Sequence, residues 1–332
     1  MGLVAGNGHV PEDCLGSVLA VGNFDGVHRG HQEVLALAAR QAKVLGAPMA
    51  VMTFEPHPRT FFRPEQPIFR LTPRDLKVDL VTACGAGCVF ALDFDGDLAG
   101  LEAEDFIRQQ LVERLAVRHV ITGYDFHFGK GRKGSPDLIR AMGQELGYEY
   151  TLVEQVTDDD GLAPFSSSSI REALRRGEVR DAADQLGYWW TVRGEVVKGD
   201  QRGRTIGFPT VNIEMQNDGH PANGIYACRV RCPETGERWH GAGYVGDRPT
   251  FDRKGVVLEV YLLDFSGDLY GRALQVEFND YIRPDHRYEG VDALVQQMTA
   301  DCAEIRKRLD ALDADDPLRQ FPLGLAQAQG SF

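Results

Sequence analysis

A chain of 332 residues, 43% of them hydrophobic, has room for about two domains, each large enough to bury a core of its own. Its formal net charge of -13 excludes a protein whose main task is to grip a nucleic-acid backbone, because neutralising phosphates takes a basic face. No apolar run approaches the roughly 18 residues of a membrane span, and the opening MGLVAGNGHVPEDC lacks the layout of a signal peptide, so a cytoplasmic protein with no membrane partner is expected.

From residue 17 to about 155, strand-like and helix-like stretches alternate. SVLAVGNF reads as a buried strand, GHQEVLALAARQAKVLG as an amphipathic helix ended by Gly46, and APMAVMTF as the next strand. TPRDLKVDLVTACGAG is a helix, CVFALDF a strand, AEDFIRQQLVERLA a helix with an acidic first turn, and RHVITGYDF a strand. SPDLIRAMGQELG and YEYTLVEQV close the series as helix and strand. Strands separated by helices of this length imply βαβ units in a doubly wound parallel sheet, whose ligands bind beyond the carboxyl ends of the strands. The six cysteines include two x3-spaced pairs, Cys84/Cys88 and Cys228/Cys232, in apolar or strand-like surroundings that favour small buried thiols over zinc ligands.

One strand of the series feeds a distinctive turn. AVGNFDGVHRGHQEVL, residues 20 to 35, carries Asn23, Asp25 and Gly26 in a turn and then sets His28 and His31 three residues apart, with Gly30 between them. A strand passing through a glycine turn into a helix offers backbone N–H groups and the positive end of the helix dipole to an anion. Histidines at i and i+3 share one side of the first helical turn, where ring N–H groups join those donors and stabilise charge building on phosphorus. Three readings stay open for the pair: a phosphate cradle, a plain turn with capping histidines, and a metal pair, for which no further His or Cys ligand stands nearby.

Later strand ends carry chemistry of the same kind. TFEPHPRTFF places Glu55, His57 and Arg59 after a strand. GYDFHFGKGRKGS places Asp125 there, with Lys130, Arg132 and Lys133 set among glycines. It is not a Walker loop, because Ser135 follows Gly134 directly where lysine belongs, but its positive charge suits ATP phosphates. PFSSSSIREALRRG starts a helix with hydroxyls and places Arg171 in its first turn, either as an ordinary cap or as a third anion site.

Near Gly187 the pattern changes to consecutive strands, YWWTVRGEVVKG, GIYACRVRC, RWHGAGYVG, VVLEVYLLDF and RALQVEFNDYI, followed by one helix, VDALVQQMTADCAEIRKRLDAL. A small β-barrel with a helix laid against it is expected. Between the first two strands, GDQRGRTIGFPTVNI combines glycines, Arg202, Arg204, Thr210 and Asn212; it is either an ordinary long connection or a set of oxygens of the kind Mg²⁺ favours. In VVLEVYLLDF, alternation puts Val257, Glu259, Tyr261 and Leu263 on one face, a carboxylate in an apolar row. Burial disfavours a carboxylate's charged form and so moves it toward the range of a general base; pairing with an arginine across the barrel is the other reading.

In this order GNFDGVHRGH, TFEPHP, GYDFHFGKGRKG and SSSSIR, and then GRTIGFPTVN, NGIYA, GDRPTF, LEVYLLDF and DLYG, resemble the two modules of the bacterial bifunctional riboflavin kinase/FAD synthetases, from about residue 15 to about 310. The resemblance implies a Rossmann-like nucleotidyltransferase domain over 15–185 and a six-stranded kinase barrel with a C-terminal helix over 188–312. The tail, 313–332, is expected to be disordered. It implies riboflavin, FMN and ATP as substrates, FAD as product and Mg²⁺ as cofactor. It assigns His28, His31, Ser167, Ser168 and Arg171 to the ATP phosphates, with Asn23, Asp25 and Gly30 in the nucleotide pocket and Asp125, Phe126 and Phe128 toward the flavin. In the kinase module it assigns Arg204 and Gly207 to nucleotide, Thr210 and Asn212 to Mg²⁺ and ATP, and Glu259 to proton removal from the ribityl hydroxyl. Three positions depart from the family pattern: Ser168 stands for threonine, His127 for arginine, and Tyr188-Trp189-Trp190 follows Leu186-Gly187 where Arg-Pro is usual. The two tryptophans are expected to pack at the domain junction.

Overall fold

A computed structural model describes residues 2–6, 8–157, 163–199, 202–215, 219–247 and 256–332. The chain forms two compact units, one from Met1–Ile68, Arg74–Ser166 and Phe332, the other from Phe69–Pro73 and Ser167–Ser331.

The first unit is built on six parallel strands: β1 (Gly2–Ala5), β2 (Val18–Val21), β3 (Met49–Glu55), β4 (Cys88–Asp93), β5 (His119–Gly123) and β6 (Glu149–Val153), in the order β1-β4-β3-β2-β5-β6. The helices are α1 (Arg29–Leu45), α2 (Pro58–Phe62), α3 (Arg74–Ala83), α4 (Gly96–Gly100), α5 (Ala103–Phe106), which runs on as a π-helix over Ile107–Glu113, and α6 (Pro136–Leu146). The central strands are buried on both faces, as parallel strands covered by helices must be. Helix α1 buries Val34, Leu35, Ala38 and Ala42, one stripe at helical spacing, and ends at Gly46 in the left-handed region. Helix α6 starts from Ser135, whose hydroxyl accepts the Leu138 N–H, and has Pro136 as its first residue.

The edge strand β1 is not signalled by the sequence: four residues pairing with β4 carry too little alternation to read. Cys88, expected as a thiol, is joined to Cys14 in a disulfide between residues 74 apart; Cys228 and Cys232 are buried thiols, and Cys84 is half-buried.

The second unit opens with α7 (Ser167–Arg175) and α8 (Val179–Leu186) and continues into a closed barrel. Its strands are β7 (Thr191–Val197), β8 (Thr210–Glu214), β9 (Gly224–Arg231), β10 (Arg238–Asp247), β11 (Val256–Leu262) and β12 (Ala273–Arg283), in the order β10-β11-β8-β7-β12-β9. A short helix α9 (Arg202–Thr205) precedes β8, and the long α10 (Val291–Ala314) follows β12. Strand β8 lies inside the stretch read as a connection; its five residues pair with β11 on one side and β7 on the other and close the barrel.

The tail is ordered, contrary to expectation. Helix α10 runs to Ala314, a 3-10 turn spans Pro317–Gln320, and α11 (Pro322–Gln329) follows. Leu318 and Leu323 are buried, and Asp316 and Gln327 are also buried, each with hydrogen-bond partners. Its polar composition hides these few anchors. Trp189 is fixed by this tail: its backbone N–H donates to Gln327 Oε1 at 2.8 Å, and its indole N–H donates to Asp316 Oδ2 at 3.1 Å. Trp190 donates its indole N–H to the Leu71 carbonyl at 2.9 Å and packs against Phe69 and Phe278 within the same unit.

Candidate active sites

In the first unit β3, β4 and β1 lie on one side of β2, and β5 and β6 stand on the other, so the chain crosses over between β4 and β5. Strands β2 and β5 therefore flank the switch point of the sheet, where a crevice opens beyond the carboxyl ends. The turn over 22–28 follows β2, and the loop over 124–135 follows β5.

The turn is held in an unusual backbone conformation. Gly26 has φ 85°, but Phe24 at 46° and Val27 at 39° also lie in the left-handed region, where a β-branched residue costs on the order of 1–3 kcal/mol. Both side chains are buried, and the Val27 carbonyl accepts from Gln32 Nε2 at 2.8 Å. His28 is the N-cap of α1: its Nδ1 accepts the His31 N–H at 3.3 Å, which leaves Nε2 to carry the ring proton. The two imidazoles stack with centroids 3.7 Å apart, and Phe24 meets His31 edge-on at 5.3 Å. His28 and Asp25 are buried and Asn23 is exposed. A Cβ at Gly30 would come within 3.2 Å of the His28 ring and 3.6 Å of Phe165, so glycine lets these groups close over the helix start. Phe165 itself lies under the Arg29 guanidinium at 4.6 Å, two residues before the serine run enters α7.

At the end of β3, Glu55 accepts from Lys77 Nζ at 2.6 Å. Lys77 sits on α3 and is buried, and the sequence reading passed over it because it looks like a polar residue on an amphipathic helix. His57 caps α2, its Nδ1 accepting the Arg59 N–H at 3.1 Å. Beyond it Phe61, Phe62 and Phe94 form an edge-to-face cluster with centroids 5.2 to 5.8 Å apart, and Phe62 is 64% exposed.

In the loop after β5, Asp125 is exposed and Phe126 half-buried, stacked on Phe128 at 5.5 Å. Phe128 is buried against Phe106, its backbone bridged to Gly134. That bridge makes the glycine loop a tight hairpin, and His127 Nδ1 lies 3.2 Å from the Gly134 carbonyl. Lys130 and Lys133 both approach Glu102, at 3.3 and 3.8 Å, so part of the loop's positive charge is locally balanced.

In the second unit Ser167 and Ser168 begin α7, with Ser168 exposed. Arg171 is buried, its Nε donating to the Phe69 carbonyl at 2.6 Å.

On the barrel, strand pairing sorts the residues into rows. Val245, Leu258, Ile213 and Val196 are cross-strand neighbours and are buried. Shifted by one residue, Tyr244, Glu259, Asn212 and Val197 form the row on the opposite face. Glu259 is thus half-buried on a mixed row rather than enclosed in the apolar one, which is Leu258, Val260 and Leu262; the Val257 side chain lies outside the described residues. Thr210 Oγ1 donates to Glu259 Oε2 at 3.2 Å, and Asn212 lies directly across from Glu259. A Cβ at Gly199 would strike the Asn212 amide, so the backbone before α9 passes close over this side chain. Arg204 is exposed on α9, and Gly207, at φ 86°, turns the chain into β8. The Arg202 side chain and most of GDRPTF lie outside the described residues. The structure therefore brings Thr210, Asn212 and Glu259 together, and adds Tyr244, whose place in the row depends on a pairing that the sequence does not reveal. Among the described residues no cluster of three or more His, Cys, Asp or Glu side chains forms a metal site, and no helix is long and apolar enough to cross a membrane.

Two family models match the chain, FAD synthetase over residues 10–168 and riboflavin kinase over 186–309. The chain is 38% identical over 287 residues to a bifunctional riboflavin kinase/FMN adenylyltransferase of Escherichia coli K12, covering 86% of this chain and 90% of that one. It is 38% identical to the enzyme of the same description from Pseudomonas fluorescens, over 92% and 97% of the two chains, and 36% identical to that from Bacillus subtilis 168, over 89% and 93%. A crystal structure described as a macrolide-efflux protein from Streptococcus pneumoniae superposes with a TM-score of 0.80 at 29% identity, over 92% of this chain and 98% of that one.

Proposed function

The chain belongs to the family of bifunctional riboflavin kinases/FMN adenylyltransferases, and from that membership we propose how its two activities divide among the residues described above. The enzyme phosphorylates riboflavin to FMN and adenylylates FMN to FAD. Kinase chemistry belongs to the face of Thr210, Asn212 and Glu259. Glu259 takes the proton of the terminal ribityl hydroxyl as its oxygen attacks the γ-phosphorus of ATP, and ADP leaves. Thr210, hydrogen-bonded to one carboxylate oxygen, orients that base. The Thr210 hydroxyl and the Asn212 amide oxygen are hard oxygen donors on one face, which fits Mg²⁺. When bound, Mg²⁺ neutralises charge on the phosphate oxygens. Arg204 and Gly207 hold the nucleotide beside this face.

Adenylyl transfer belongs to the turn after β2. A phosphate oxygen of FMN attacks the α-phosphorus of ATP and pyrophosphate leaves. His28 and His31 donate to the phosphates rather than attack them, and Asn23, Asp25 and Gly30 shape the nucleotide pocket. Ser167, Ser168 and Arg171 supply hydroxyls and a cation to the triphosphate. Asp125, Phe126 and Phe128 stay with the flavin, and the exposed ring of Phe62 is an apolar face of the kind an isoalloxazine stacks on. The domain limits we adopt are 15–185 and 188–312, and the working compartment is the cytoplasm, where ATP and the flavins meet.

The observation that carries the proposal is the 3.2 Å bond between Thr210 and Glu259, residues 49 apart that only the β8–β11 pairing brings together. Flavin chromatography after incubation with ATP and Mg²⁺ tests it, with riboflavin and then FMN as the starting flavin. The parent enzyme is expected to yield FMN and then FAD. Glu259→Gln should stop FMN formation while FAD still forms from supplied FMN; loss of both, or of neither, would defeat the division.

A further inference from the structure

The strained turn after β2 needs an anchor, and the structure shows a directional one. Thr53 Oγ1 donates to the Asn23 carbonyl at 3.0 Å. A hydroxyl has one proton, so with that proton committed its oxygen can only accept from Lys77 Nζ, 3.4 Å away. Lys77 is in turn paired with Glu55 at 2.6 Å. Thr53 and Lys77 are 2% and 4% exposed, and a buried ammonium is costly unless it is paired and hydrogen-bonded. This pair sits where β3 ends beside the turn. The neighbouring Gly22 N–H is fixed to the Met52 carbonyl at 3.1 Å, so β3 grips the turn at two successive residues just ahead of Phe24.

We propose that Thr53, polarised by Lys77, is a positioning residue for adenylyl transfer: it holds the Asn23 backbone so that the turn keeps its positive-φ conformation and presents His28 and His31 in register. The proposal rests on the phosphate-cradle reading of those histidines. It names neither residue as a contact to substrate. Misplacing a catalytic group by about an ångström costs on the order of 100-fold in rate, which sets the scale expected.

Steady-state assays of FAD formation from FMN and ATP, with FMN formation from riboflavin measured on the same preparations, test it. Thr53→Val, which keeps the shape and removes the relay, should lower kcat for FAD formation about 10- to 100-fold, with KM for ATP changed less than about 3-fold. Thr53→Ser, which restores the hydroxyl, should return kcat to within about 3-fold of the parent. The paired variant Lys77→Met with Glu55→Gln, which leaves no lone buried charge, should match Thr53→Val. FMN formation should stay unchanged in all of them, which separates the effect from general unfolding. Parent-like FAD formation in Thr53→Val, equal loss in Thr53→Val and Thr53→Ser, or an effect confined to KM would overturn the proposal. His28→Ala in the same assay tells the two readings apart: if it is inactive while Thr53→Val is normal, the cradle stands and the relay falls; if His28→Ala and His31→Ala are both normal, both fall.

Discussion

At the residue scale, the two proposed sites assign roles that differ in kind. In the proposed division Glu259 moves a proton, whereas His28 and His31 only present donors, so their losses should differ in character. Replacing both histidines with alanine should reduce FAD formation by about 100-fold or more, the usual cost of removing a preorganised donor, while FMN formation continues at the parent rate. An unaltered FAD rate would refute the phosphate role. The placement of both histidines together at the start of α1 was legible because their spacing and the preceding glycine turn are local in sequence. Lys77 was not, because its meaning comes from Thr53 and Glu55 on a neighbouring strand. The burial of Phe128 was hidden for a similar reason, because it follows from the bridge to Gly134 and the packing on Phe106.

At the scale of elements, the alternating helices and strands of the first unit followed from periodicity, and the pieces that did not were short or paired at long range. Strands β1 and β8, of four and five residues, are defined by long-range pairing, β1 with β4 and β8 with both β11 and β7. The face of β11 was misjudged because alternation reveals two faces without saying which is inside. The β12–β9 pair supplies a test of the electrostatics between elements. Glu277 on β12 opposes Arg229 on β9, whose guanidinium also binds Asp313 and Asp316 at 2.8 and 2.6 Å. Burial pushes the Glu277 carboxyl up to about 7; Arg229 and Arg238 oppose the shift, and Asp316 adds to it. A carboxyl whose pKa is raised by folding binds its proton more tightly in the folded state. Stability from this group is therefore full below about 4.5 and declines as pH rises toward 7, by an amount on the order of 3 kcal/mol. Glu277→Gln, which needs no ionisation, should melt above the parent at pH 8, with the advantage shrinking as pH falls to 5. A Tm difference independent of pH would show that this carboxyl is not the source.

At the scale of the whole molecule, two chemistries in one chain make each activity a control for the other, and the C-terminal residues can be judged that way. The segment 315–331 follows the end of α10 and is sewn to the second unit. Gln327 donates to the Trp189 carbonyl and to Thr191 Oγ1, both at 2.9 Å, Arg238 donates to the Ala328 carbonyl at 2.9 Å, and Asp316 serves both Arg229 and the Trp189 indole. Removing it would expose the apolar surface that Leu318 and Leu323 cover, worth about 1.5–3 kcal/mol for each leucine. It would also leave the Trp189 indole N–H without its carboxylate, at about 1–3 kcal/mol if the group stays buried. The sum is a large part of the roughly 5–15 kcal/mol that holds a domain folded. Truncation after Ala314 should therefore lower the temperature at which FMN formation is lost by about 10 °C or more, at about 2–4 °C per kcal/mol for a unit of this size. Trp189→Phe, which gives up the indole N–H and part of the buried ring, should lower it by a few degrees. FAD formation from supplied FMN, followed on the same heated samples, would show whether the loss stays with the kinase. Coincident parent-like inactivation of both activities after truncation would mean that the tail's contacts add nothing to the barrel.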